Sequence, residues 1–217
     1  MDYYHMTSLN NLHSISQKGL LPQNGVNSKL IGDEKIKTFF SEGFEGAIAL
    51  YVDFQIVYDK IRTGQVRITD KNISQKIIES KNLSDYLGEG VYLRFDGTNI
   101  KNERNFENGC TDMAIPPDEL TVCVLRRKND NSVIFSRFEI IKYMMATIRP
   151  EQIRYYGAQY DGAPDFEKAT TRIREKVKMY YQKHQSEISA YNTEAYQFTF
   201  YGLDDFVKVS QRIPCPD

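Results

Sequence analysis

The sequence predicts a single mixed α/β domain with a helical C-terminal extension, and two patterns carry that expectation. Short alternating apolar runs such as "EGVYLRFDG" are interspersed with longer stretches whose apolar residues recur every three to four positions, such as "EGFEGAIALYVDFQIVYDKI". No repeat, low-complexity tract or compositional break divides the 217 residues, and a chain of this size buries roughly 70% of its unfolded surface in one core. The expected division is residues 1–163 as the main domain and 164–217 as a helical extension packed on it.

The first segment, Tyr3–Met6, reads as a strand. A helix capped at Thr7 or Ser8 follows, with Leu9, Leu12 and Ile15 on its apolar stripe, Gly19 as its stop and His13 turned to solvent. Residues 23–37 are polar and glycine-punctuated, hence a loop. "KTFFS" is strand-like and leads to a helix carrying Phe44, Ile48, Tyr51, Val52 and Gln55 at helical spacing, with Ser41 as N-cap and Glu42 and Glu45 in its first turn. Residues 62–87 connect through one short helix around "SQKIIES". Val91, Leu93 and Phe95 share one face of a strand, and Leu120, Val122 and Val124 begin another β-rich run. Ser136 and Glu139 form a capping-box pattern ahead of an apolar stretch, and "RPEQIRYYGAQ" reads as a turn feeding a strand. Asp165 caps a long charged helix burying Ile173, Val177 and Tyr180; the tail holds a possible helix, a strand-like "YQFTFYG" and a proline-rich end.

Composition excludes several function classes. The formal net charge of −1, with no block of like charge, gives no support for strong non-specific phosphate binding. Cys110, Cys123 and Cys215 are odd in number and contain no CxxC pair, which suits a reducing cytoplasm rather than a disulfide framework. "MDYYHMTSLNN" has neither the basic start nor the apolar core of a signal peptide, although export without a cleaved signal would leave no trace. No run reaches the ~18–20 apolar residues of a membrane span, so no membrane partner is expected. The histidines at 5, 13 and 184 have no metal-ligand spacing, and no P-loop, G-x-S-x-G or G-x-G-x-x-G occurs. A thiol dyad of Cys110 with a histidine has no local signature.

The N-terminal half has a distinctive order: "YHMTS", a helix ending in "GLLP", a polar loop, then "FFSEGFEGA" opening a second helix. That order resembles the NAD-dependent ADP-ribosyltransferase superfamily, particularly its diphtheria-toxin and PARP-like branch and the related tRNA 2′-phosphotransferases. The likeness covers roughly residues 3–60. It implies an α+β fold with a split antiparallel β core and flanking helices, NAD as substrate, and transfer of ADP-ribose to an acceptor with release of nicotinamide. It also implies that His5, Met6 and Thr7 hold the nicotinamide ribose and amide, with Met6 where the family has glycine and only its main chain in contact. Phe39 or Phe40 would wall the nicotinamide and Ser41 would supply a pocket hydrogen bond. The chemistry suits those types, since imidazole can donate on one nitrogen and accept on the other, and an oxocarbenium-like transition state needs oriented ribose hydroxyls and a nearby carboxylate.

For that carboxylate the resemblance points to an acid upstream of a turn into a late strand. "TDMAIPPDELTVCVL" offers Asp112 there, whereas "YMMATIRPEQIRYYG" has Met144 and Met145, so His5 and Asp112 are the expected catalytic pair. Glu119, Glu139 and Glu107 are the fallbacks. Glycines 25 and 32 would let the 23–37 loop hinge over a bound dinucleotide. The alternative function is a catalytically silent nucleotide- or protein-binding module on the same fold, distinguished by a pocket without an acid. The acceptor, whether protein or nucleic acid, and the oligomeric state are not written in the sequence.

Overall fold

The computed structural model describes residues 2–23, 36–101, 109–152 and 166–210. Seven strands form one sheet: β1 (Asp2–Thr7), β2 (Thr38–Glu42), β3 (Val91–Asp96), β4 (Gly109–Thr111), β5 (Thr121–Arg127), β6 (Val133–Ile134) and β7 (Tyr196–Gly202). The order is β4-β2-β1-β3-β5, and every pairing among the described residues is antiparallel. Cys123 of β5 pairs with both Tyr92 and Phe200, so β3 and β7 lie along opposite edges of β5. Leu125 likewise pairs with both Ile134 and Phe198, which puts β6 in line with β3.

Helices cover both faces of the sheet. On one lie α2 (Gly43–Arg62), α3 (Lys71–Glu79), α4 (Leu83–Leu87), α5 (Arg137–Thr147) and α6 (Phe166–Lys183), followed by the short α7 (Gln185–Ser189). Their core includes Ile48, Val52, Ile77, Met144 and Val177 packed with Tyr92, Cys123 and Leu125 of the sheet. The other face carries α1 (Leu12–Lys18) and α8 (Leu203–Ser210), where Leu12, Ile15, Leu203 and Phe206 meet Val91, Leu93, Phe95, Val122 and Val124. The period-two alternation along β3 and β5 thus sorts residues between two cores rather than between core and water. Among the described residues no helix is long and apolar enough to cross a membrane.

Several local expectations hold. The helix expected around "SQKIIES" is α3, although the 62–87 stretch holds α4 as well; Asp70 caps α3, accepting from the main-chain N–H of Asn72 and Ile73 at 3.0 and 3.2 Å. Ser136 caps α5 by accepting from Glu139 N–H at 3.3 Å, and His13 is exposed. Most of the 23–37 loop, residues 153–164, the Asp165 cap and the Ile173 side chain lie outside what is described. Other expectations need correcting. The sheet is continuous rather than split, yet within its interior β1 and β2 share only the Tyr3↔Glu42 and Tyr4↔Ser41 pairs. Ser41 is a strand residue and not a helix cap, because that ladder runs on to Glu42 and the helix starts only at Gly43. Ser8 precedes a 3₁₀ turn (Leu9–Asn11) and makes no side-chain cap bond, and α1 begins only at Leu12. The segment after residue 164 is not merely a helical annex, since β7 pairs with β5 from Thr121↔Gly202 to Arg127↔Tyr196.

Gly19 ends α1 with φ +78°, its N–H donating to Ile15 O at 2.8 Å, and the next residue, Leu20, donates its N–H to Ile115 O at 2.9 Å. A Cβ at Gly19 would strike that Ile115 carbonyl. Positive φ and steric conflict both favour glycine here, so Gly19→Ala is expected to cost about 2 kcal/mol or more. A lowered urea midpoint with an unchanged denaturant slope is the signature to look for; an unshifted midpoint would show that the turn relaxes freely.

Candidate functional site

Where the β1–β2 ladder stops, the strands part and a cleft of about 590 Å³ opens. Its lining draws on α1 (Ser14, Ile15) with Asn11 just before it, and on α2 (Leu50, Tyr51, Phe54), elements on opposite faces of the sheet. A continuous ladder would wall one face from the other; the seam is what lets both contribute. His5, Met6, Thr7, Phe39, Phe40 and Ser41 all line this one cleft, although more than thirty residues separate the two segments.

His5 bridges the seam. Its Nδ1 lies 2.7 Å from Phe39 O. A carbonyl can only accept, so Nδ1 carries the proton and the neutral ring keeps Nε2 as an acceptor. Burial holds the imidazole below its ordinary protonation range; the Phe39 bond opposes that shift, and the nearby Arg137 guanidinium adds to it. Thr7 is 5% exposed, and its Oγ1 accepts from Asn11 Nδ2 at 3.3 Å, which leaves the hydroxyl proton to donate. Ser41 is buried and its Oγ lies 3.5 Å from Tyr4 O. Met6 packs against the core under α2.

The adjacent phenylalanines divide their work as alternation along a strand requires. Phe40 is 2% exposed, stacked on Tyr3 with centroids 4.3 Å apart and edge-on to Phe95 at 5.5 Å. Gly109, its partner on β4, makes room for that ring, since a Cβ there would run into it. Phe40 is therefore committed to the core, and the half-buried Phe39 is the ring better able to meet a ligand.

Asp112 stands at the rim, outside the lining. It is 56% exposed and its carboxylate lies 3.7 Å from Nζ of Lys37, itself a lining residue. Glu119 is exposed on a 3₁₀ turn, Glu139 sits in the first turn of α5 paired to Lys142 at 3.3 Å, and Glu107 is outside the described residues. No Asp or Glu is among the described lining residues, whereas Lys37, Lys76 and Arg137 are. Cys110 is buried on β4 and does not line the cleft; burial pushes the Cys123 thiol up to about 12.

Sequence reasoning missed Arg137, Tyr86, Lys76 and Thr38. Thr38 Oγ1 and the Tyr86 hydroxyl are buried, line the cleft and have no hydrogen-bond partner. Nothing local marks Lys76, Tyr86 and Arg137, because α3, α4 and α5 reach the cleft only through tertiary packing, whereas Thr38 stands on β2 next to Phe39. Comparison with protein-family models, curated proteins and solved structures gave no match.

Two outcomes follow from this geometry. The unfolded chain binds the His5 proton at higher pH than the folded protein, so the stabilisation is complete above about pH 6.5 and is lost as the pH falls below it. The stability advantage of wild type over His5→Gln should shrink between about pH 7.5 and pH 5; thermal melts showing a constant difference would contradict the burial of a neutral imidazole. Phe40→Ala should cost about 3–5 kcal/mol, while Phe39→Ala should leave chemical denaturation nearly unchanged and act on ligand binding instead.

Proposed function

We propose that the cleft binds NAD and that the protein is an ADP-ribosyltransferase, moving ADP-ribose from NAD to an acceptor and releasing nicotinamide, on an ADP-ribosyltransferase-like fold. The observation that carries this reading is the convergence of His5–Thr7 and Phe39–Ser41 on one cleft, joined by the His5–Phe39 bond. In the reaction the glycosidic C–N bond breaks and nicotinamide leaves with the electron pair. The acceptor's nucleophile bonds to the ribose carbon and gives up its proton. His5 Nε2 and the Thr7 hydroxyl would orient the ribose hydroxyls by accepting from one and donating to another. Phe39 would lie against the nicotinamide ring. Asp112 is the carboxylate that would move in from the rim to meet positive charge developing on the ribose.

The lining without a described carboxylate favours a second reading, a nucleotide-binding module without turnover. Nicotinamide release with and without a cell lysate as acceptor source separates the two. For the transferase, His5→Ala should lower turnover by about a hundredfold or more, and Asp112→Asn should lower turnover while NAD still binds. An NAD-dependent rise in melting temperature without nicotinamide release would establish the binder. Neither release nor a shift would sink both.

A further inference from the structure

Resting on the reading of the cleft as a nucleotide site, the geometry points to a phosphate subsite formed by Arg137, Tyr86 and Lys76, which takes the diphosphate of the bound nucleotide. Arg137 is the centre of it. Its Nε donates to Glu89 O at 3.2 Å and its main-chain N–H to Gly88 O at 3.1 Å, so the plane of the guanidinium is held by backbone. Its side chain lies against Gly90 and beside the Thr7 carbonyl, close enough that a Cβ at Gly90 would strike Arg137 Nε and Thr7 O. Among the described residues no carboxylate pairs with Arg137 and no hydrogen bond engages its two terminal NH₂ groups. A partly buried guanidinium without a counter-charge is costly unless an anion joins it. Arg137 is also the first residue of α5, where the helix dipole disfavours a cation and favours an anion.

The second observation is Tyr86. This residue is 3% exposed, lines the cleft and has a hydroxyl without a partner. Nζ of Lys76 sits 5.0 Å from the centroid of its ring, bringing a second cation to the same wall. The donor count selects the ligand. A carboxylate would be satisfied by the guanidinium fork alone, leaving the tyrosine and lysine unused. A phosphate offers enough oxygens and charge for the fork, the hydroxyl and the ammonium together.

The test measures binding of NAD, nicotinamide riboside (which lacks any phosphate) and inorganic pyrophosphate to wild type and Arg137→Gln by calorimetry. Wild type should bind NAD at least about tenfold tighter than the riboside, and Arg137→Gln should lose that preference while keeping riboside affinity. Pyrophosphate should bind wild type and not the variant. Equal weakening of NAD and riboside, or an unchanged NAD affinity, would overturn the subsite. Equal wild-type affinity for NAD and riboside, with pyrophosphate still dependent on Arg137, would overturn the assignment to the nucleotide and move the phosphate to a second substrate. Pyrophosphate binding that needs Arg137 in a protein that binds neither NAD nor riboside would uphold the phosphate subsite and sink the NAD reading itself. Should Arg137→Gln fail to fold, Tyr86→Phe and Lys76→Gln carry the same test, each expected to weaken NAD by about threefold or more without changing riboside affinity.

Discussion

The hydrogen bond from His5 Nδ1 to Phe39 O, 2.7 Å long, is the interaction on which the rest of the site depends. It stands where the main-chain ladder between β1 and β2 gives out after Tyr4↔Ser41. A side chain takes over a bond that backbone would otherwise supply, so the carbonyl of Phe39 stays satisfied while the strands separate. The same bond selects the tautomer of the imidazole and turns its acceptor nitrogen away from β2. Opening the sheet and preparing the ring for a ligand are one event.

The aromatic packing under the seam is what makes such a gap tolerable. Tyr3, Phe40 and Phe95 form a stacked and edge-on group just where the ladder is thin, and Gly109 leaves space for the Phe40 ring. The loss of ladder hydrogen bonds between β1 and β2 is offset by burial of three rings on the α1 side. On the opposite side Tyr4 meets Phe44 and Tyr92 in a second aromatic group. The cleft is therefore floored by packed rings, and its described lining adds polar and cationic groups, an arrangement suited to a ligand with both flat rings and negative charge.

Much of the fold was legible along the chain. β3 could be read from the alternation of Val91, Leu93 and Phe95, and α5 from the capping pattern of Ser136 and Glu139, because both signals are local and no long-range contact competes with them. Ser41 misled for the opposite reason. A serine before a helical stripe is a good cap on local grounds, but the pairing of Glu42 with Tyr3 extends the strand past it. The C-terminal strand was visible as "YQFTFYG", yet its place along the whole length of β5 was not, since pairing across some seventy residues leaves no local mark.

The sequence by itself determined which residue types stand on β1 and β2: an imidazole, a hydroxyl and a pair of rings whose alternation obliged one to enter the core. Tertiary structure alone decided that Phe40 is that ring, that Asp112 stays at the rim against Lys37, and that Arg137, Tyr86 and Lys76 share a wall with His5. The physical reason is the range of the forces involved. Alternation and capping act between neighbours a few residues apart and are written into the order of residues. The charge of a cleft is the sum over side chains that meet only after several helices have packed on a sheet. A chain of net charge −1 thus holds a cleft whose described lining carries cations and no carboxylate, because its balance is struck over the whole surface and the cleft samples only a part of it.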